Sequence, residues 1–382
     1  MTDLEDHPLV EWYIPGPIDV NEEVLSRMST RPYGHRTSLM SDKIKSINKN
    51  MLALLDADPE GYTVLLFGGS GTNVLEAGAR SFSYRYNDDT VLSVSSGYFG
   101  DLWADIFESN EVPVKRWRIE DRKVIEPQKL GRRLREGYRL VAITHNETST
   151  GATNNLAAIA EVVKKYNALF LVDAVSSLGG VPIYPQALGI DYLVTSTQKC
   201  LGVPPGLGIA IVSERALSYA ENIGPRGYTT DVLRYAKEAR NGNTVTTPPQ
   251  AQIEALEFEL DYIINEEGPE ERFARHHRLA EMTRDWASSE GFELFPDSIY
   301  ASDTVSCFQN TRDVDLKAVQ KKLYEGVDGR RYGFDPGYRK VNDNQKQKGQ
   351  PPTFRIAHMG DRTEEQLGRY LDALSTALRE YR

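Results

Sequence analysis

Between residues 60 and 215, short apolar runs alternate with amphipathic stretches, and this pattern restricts the possible folds more than any other feature. Thr63-Val-Leu-Leu-Phe, Thr90-Val-Leu-Ser-Val, Leu140-Val-Ala-Ile-Thr, Leu169-Phe-Leu-Val, Tyr192-Leu-Val-Thr and Gly208-Ile-Ala-Ile-Val are each strand length. The segments between them are long enough for a helix or a long crossover. Apolar strands joined in this way predict a mostly parallel sheet with both faces covered. A site in such a sheet lies beyond the carboxyl ends of the strands. Gly68-Gly-Ser-Gly-Thr, His145-Asn-Glu-Thr-Ser, Asp173 and Lys199 would all project there.

Two of those strand ends carry complementary chemistry. Asp173 closes one apolar run, and Lys199 follows it by 26 positions at the end of another. An amine and a buried carboxylate are what is needed to hold pyridoxal phosphate. The amine condenses with the aldehyde, and the carboxylate keeps the pyridine nitrogen protonated. Desolvation lowers the pKa of such a lysine, so the same amine can also serve as a base. The glycine-rich turn before Val74-Leu-Glu-Ala-Gly-Ala would place backbone amides of Ser70, Gly71 and Thr72 at a helix start, where a phosphate is favoured. Taken alone this turn is a weak signal. It lacks both the Gly-Lys-Ser/Thr of a P-loop and the spacing of a dinucleotide fingerprint.

Composition narrows the partners. The 382 residues include 55 acids against 45 bases, a formal charge of −10, which argues against nucleic acid. Cys200 and Cys307 are the only cysteines, so a disulfide framework or a cysteine-based zinc site is not expected. No metal is expected. The polar, acidic start and the absence of an apolar run near ~18 residues argue against a membrane or an export signal and make the cytoplasm the expected location.

The chain divides into an N-terminal segment (1–20) packing near the site or the small domain, a large domain (21–268) and a small C-terminal domain (269–382). A helix is predicted from Pro248-Pro249 to Gly268, with Ile253, Leu256 and Leu260 at helical spacing. Beyond it come a helix-like stretch to Ser289, a strand at Thr304-Val-Ser-Cys-Phe and a final helix from Thr363, which together read as an α+β domain. The polar run Arg339 to Gln350 reads as a mobile loop, and His276-His277 as surface residues.

In order along the chain, Pro15-Gly-Pro, Gly34-His-Arg, Gly69-Ser-Gly-Thr, Ser96-Gly-Tyr-Phe-Gly, His145-Asn-Glu-Thr-Ser-Thr-Gly, Leu171-Val-Asp-Ala-Val-Ser-Ser-Leu-Gly-Gly, Thr197-Gln-Lys, Pro204-Pro-Gly-Leu, Thr246-Thr-Pro-Pro and Phe354-Arg-Ile-Ala-His-Met-Gly resemble the class V aminotransferases of the alanine:glyoxylate and serine:pyruvate branch. The resemblance implies an α/β fold: a large domain with a mostly parallel sheet covered by helices (fold type I), plus a smaller C-terminal α+β domain. It implies that Lys199 carries pyridoxal phosphate and shuttles a proton, and that Asp173 pairs with the ring nitrogen. Val175 would pack under the ring and Phe99 stack over it, with Thr148 near the ring oxygen. Ser70, Gly71, Thr72 and Gln198 would hold the phosphate, joined by Thr246 of a neighbouring subunit. Arg355 would clamp the substrate carboxylate, with Gly16 also at the substrate.

The implied reaction is ping-pong transamination from alanine or serine to glyoxylate or pyruvate, in a homodimer with sites at the interface. 2-Aminoethylphosphonate:pyruvate transamination, a lyase or desulfurase on the same fold, and an idle binding homologue remain alternatives. The chain departs from the family pattern at Asn243, where some relatives carry a tyrosine, and between Gly329 and Pro352, a segment able to reshape substrate access.

Overall fold

The computed structural model describes residues 9–84, 91–120 and 122–381. The residues 1–8 of the expected N-terminal segment and Thr90 of an expected strand lie outside them. The strands in chain order are β1 (Val10–Trp12), β2 (Tyr62–Gly69), β3 (Val91–Ser95), β4 (Val114–Arg118), β5 (Leu140–Thr144), the short antiparallel pair β6 (Asn146–Glu147) and β7 (Ala152–Thr153), β8 (Leu169–Asp173), β9 (Tyr192–Ser196), β10 (Gly206–Ser213), β11 (Glu293–Leu294), β12 (Val305–Gln309), β13 (Arg331–Gly333) and β14 (Thr353–Ala357).

Seven of these strands form the central sheet in the order β2-β10-β9-β8-β5-β3-β4. Only β10 runs antiparallel to its neighbours. The apolar runs form these strands because successive side chains point to opposite faces and both faces are packed. Leu92, Val94, Val141, Ile143, Phe170, Val172 and Leu193 belong to one buried cluster. Their immediate neighbours Val91, Leu140, Ala142, Leu169, Leu171, Tyr192 and Val194 belong to the cluster on the other face. Each buried valine, leucine, isoleucine or phenylalanine among them contributes roughly 1.5–3 kcal/mol. A one-residue slip of β8 would exchange all its side chains between the two cores. The sequence pattern missed β4, whose Val-Lys-Arg-Trp-Arg is half exposed at the sheet edge and carries three cations.

The smaller C-terminal α+β domain packs the helices Pro269–Ser289 and Glu364–Glu380 around the antiparallel sheet β11-β12-β14. β1 pairs in parallel with β13, and Tyr13 is fully buried with its ring stacked on Tyr370 at 3.8 Å between centroids. Past Tyr13 the chain crosses to the sheet and lies over Lys199.

The helix expected before Gly268 spans Gln250–Tyr262 and continues as a π-helical turn, Ile263–Glu267, with Ile253, Leu256, Leu260 and Ile263 fully buried. Two expectations need correction. Arg339–Gln347 is a helix and not a loop; its inward positions Val341 and Gln345, four apart, are too few to stand out among polar neighbours. His276 is fully buried and not at the surface, since Gly180 leaves room for its ring, and its Nδ1 lies 2.8 Å from the Arg272 carbonyl. His277 is the exposed member of the pair.

Candidate active site

Asp173 ends β8, in register with Thr144 of β5 and Val194 of β9. It is 4 % exposed, and its Oδ1 accepts from Val175 N at 2.9 Å. Burial pushes its carboxyl up to about 7, against the pull of the Val175 N–H and of Lys199, while nearby Glu147 pushes the same way as burial. A cation placed against this group would restore its charge.

Lys199 lies three residues beyond β9 and is 9 % exposed. Burial lowers its amine to about 8, and Arg355 acts in the same direction, while Asp173 and Asp335 oppose. A lysine so lowered keeps a reactive neutral fraction near neutrality. Its Nζ donates to the Pro15 carbonyl. Gly16, at φ +102°, has room for no side chain, because a Cβ there would come within 2.9 Å of Lys199 Cδ and Nζ. Behind the lysine, fully buried Arg272 donates to the carbonyls of Cys200 at 2.7 Å and Gly179 at 3.0 Å, fixing the turn that carries the amine.

The helix Gly71–Phe82 starts directly after β2, and Asn73 Oδ1 accepts from Ser70 N at 2.9 Å to close the turn. A Cβ on Gly71 would stand 2.7 Å from Val175 and 3.6 Å from Ser196, so only glycine lets the helix start sit this close to those strand ends. Gln198 Oε1 accepts from Ser196 Oγ at 2.6 Å beside them. Ser70, Gly71, Val175 and Gln198 are thereby brought together, with Thr72 exposed in the first turn. Amine, carboxylate and a helix start open to an anion are the donor set that pyridoxal phosphate requires, and the close approach at Gly71 is shaped for it.

Gly16, Phe99, Thr148, Lys199 and Arg355 line one cavity of about 360 Å³. Phe99 is held there by Glu147, a fully buried carboxylate that accepts from Phe99 N and Gly100 N, both at 3.1 Å, and from Ser149 Oγ at 2.6 Å. Arg355, in β14, donates from Nη1 to the Thr148 carbonyl at 2.8 Å and from Nη2 to Asp335 Oδ2 at 2.6 Å. Thr246 is not brought to this cavity. It is exposed and lines a second one of about 610 Å³, with His35, Arg36, Tyr228 and Asn243.

Sequence reasoning missed Asp335 and Tyr338, which line the Lys199 cavity, and Arg272 behind it. For the first two the only signal was the departure of residues 329–352 from the family pattern. Arg272 had none, being one arginine among several on a charged helix.

The family model described as Aminotransferase class-V matches residues 19–327. An uncharacterized aminotransferase of Methanocaldococcus jannaschii is 34% identical over 96% of this chain and 92% of its own length. A 2-aminoethylphosphonate–pyruvate transaminase of Phocaeicola vulgatus is 28% identical over 95% of this chain and 97% of its own. Among solved structures, an alanine–glyoxylate aminotransferase of Nostoc sp. superposes with a TM-score of 0.89 at 25% identity, covering 99% of this chain and 98% of that one.

Proposed function

Because this chain belongs to the class-V aminotransferase family, pyridoxal-phosphate-dependent transaminases, we propose that it moves the amino group of a small amino acid, alanine or serine, to a 2-oxo acid such as glyoxylate or pyruvate. The observation that carries this reading is the meeting of Lys199 and Arg355 on one cavity, with Asp173 buried within electrostatic reach of the lysine.

When bound, pyridoxal phosphate supplies an aldehyde that takes up the amino group and a ring that stores the electron pair of the α-carbon. Lys199 Nζ anchors the aldehyde and then accepts the α-proton, which its lowered pKa permits. Asp173 would hold a proton on the ring nitrogen, whose positive charge would favour the carboxylate form of this buried group. Ser70, Gly71, Thr72 and Gln198 would hold the phosphate, Val175 and Phe99 would pack against the ring, and Thr148 would serve its oxygen. Arg355 orients the α-carboxylate, and the Pro15-Gly16 crossing excludes water from the amine. Thr246 would complete the phosphate site of a partner subunit in a homodimer, which is proposed to work in the cytoplasm. Among the described residues, no helix is long and apolar enough to cross a membrane.

A panel of amino donors against glyoxylate and pyruvate, read by conversion of the aldehyde form to the amine form, tests the reaction. Alanine or serine should give the largest kcat/KM, and a panel in which neither reacts would sink the assignment. Cofactor retention that falls on dilution, together with a Thr246→Val variant that loses cofactor about 5-fold faster, would support the dimeric site. A fully active monomer would refute it.

Transamination of 2-aminoethylphosphonate is the second reading, favoured by the Phocaeicola vulgatus relative and by Gly69-Ser-Gly-Thr. A desulfurase is disfavoured, because Cys200 and Cys307 are both fully buried and burial pushes each thiol up to about 12.

A further inference from the structure

Arg355 already holds a carboxylate of its own chain. The chain leaves β13 through Phe334, Asp335 and Pro336 before the helix Arg339–Gln347 returns it to β14. Asp335 Oδ2 lies 2.6 Å from Arg355 Nη2, and the Asp335 side chain is only 13 % exposed. Two hydrogen bonds fix its placement, and a ring flanks its partner. Arg355 N donates to the Asp335 carbonyl at 3.1 Å, Gly337 N donates to Asp335 Oδ1 at 2.7 Å, and the Tyr338 ring lies 5.3 Å from the guanidinium carbon. Arg355 Nη1 is spent on the Thr148 carbonyl, while Nε is buried without a hydrogen-bond partner. The guanidinium thus keeps an unused donor beside a fixed negative charge.

Resting on the aminotransferase reading, we propose that Asp335 is a specificity-determining residue. By half-neutralising Arg355 it restricts the cavity to substrates with one carboxylate and an uncharged remainder, and it turns away those with a second anionic group. Among the described residues, Lys199 is the other cation lining the cavity, and it is committed to the proposed chemistry. Lys340 stands outside the lining, 4.4 Å over the Tyr98 ring. A dicarboxylate or a phosphonate dianion would bring extra negative charge against the largely buried Asp335 carboxylate. Rejection of this kind, by placing a repulsive charge, is a common source of selectivity. It favours a short neutral amino acid over acidic or phosphonate donors and so deepens the reading above.

The test uses anions that cannot react, titrated into the cofactor-loaded full-length protein by calorimetry: propionate, succinate and methylphosphonate. The wild-type protein should bind propionate at least about 10-fold more tightly than the other two. Asp335→Asn, which keeps an acceptor for Gly337 N, should tighten succinate and methylphosphonate by about 30-fold and propionate by less than about 5-fold. Asp335→Ala should move preferences the same way. A wild-type protein that prefers succinate or methylphosphonate overturns the proposal without any variant. So does a folded Asp335→Asn protein with unchanged preferences. Binding of these anions needs no turnover, so an inactive donor panel and an unaltered anion preference are separate failures of separate claims.

Discussion

The two walls of the Lys199 cavity are built in different ways. On one side Lys199 lines the cavity three residues past β9, and Asp173, outside the lining, ends the adjacent β8; both are central strands hydrogen-bonded on both flanks and buried on both faces. On the other, Arg355 comes from β14 of the three-stranded sheet, while Asp335 and Tyr338 stand in the loop between β13 and the short polar helix. Their positions depend on side-chain contacts: an ion pair, a cation over a ring and two hydrogen bonds to backbone carbonyls or amides. A wall set by backbone register tolerates little change, because moving one strand end moves the whole sheet. A wall set by side chains can be rebuilt without disturbing the core. Under the proposed function, the chemical groups would lie on the rigid wall and the selecting groups on the adjustable one.

If that division holds, substitutions on the sheet wall lower kcat and those on the facing wall raise KM. Lys199→Ala should have the largest effect, a loss of about 10⁴-fold or more in kcat, because one amine both anchors the cofactor and moves the proton. Borohydride reduction followed by peptide mapping should tag position 199 in the wild type and nothing in the variant. Turnover that survives the substitution would break the comparison outright.

Asp173→Asn should follow, with kcat reduced about 10²–10³-fold as the ring nitrogen loses its partner. The same variant separates function from stability. In cofactor-free protein the folded-state pKa of Asp173 is raised to about 7, above that of an unfolded carboxyl. The folded protein therefore binds the extra proton between about pH 4 and pH 7, and stability is lost as pH rises through that window. The Asn variant should melt above wild type at pH 8 and match it near pH 4. Thermal scans at the two pH values decide this, and a variant less stable at pH 8 would show that the buried charge has a compensating partner.

The same division explains what could be read in the sequence. Asp173 and Lys199 were visible because each ends an apolar run whose alternation commits both faces to a core, so the chain had few other ways to place them. Edge strand β4 escaped because its Lys115, Arg116 and Arg118 interrupt that alternation where one side meets solvent. Asp335 and Tyr338 had no periodic context, and their importance lies in contacts with Arg355, Tyr98 and Phe99 made only once the chain folds back. The clamp role of Arg355 stays a proposal drawn from family likeness, whereas its pairing with an aspartate of the same chain has no signal in the sequence. Thr246 was assigned to the phosphate from family likeness, and within one chain it stays in a separate cavity, which leaves its role to the proposed partner subunit.

Arg355→Lys tests the facing wall. Lysine keeps the charge but cannot serve the Thr148 carbonyl, Asp335 and a substrate carboxylate from one planar fork. KM for the amino donor should rise about 10- to 100-fold, with kcat changed much less. A drop confined to kcat would move Arg355 from selection to chemistry and erase the contrast between the walls.

The smallest expected effect falls on Tyr338, whose ring meets Tyr98 at 4.7 Å and Phe99 at 6.0 Å between centroids and lies beside the Arg355 guanidinium. Each such contact contributes on the order of 1 kcal/mol. Tyr338→Ala should therefore raise KM by about 5- to 10-fold, by loosening Arg355 and the Phe99 ring together. Tyr338→Phe keeps the ring and should stay within about 3-fold of wild type. Steady-state kinetics on the pair separates two accounts of the adjustable wall. If only Ala is impaired, packing of the ring positions the arginine. If Phe is impaired as much as Ala, the hydroxyl is the active element, and the facing wall selects by hydrogen bonding instead of by charge and shape.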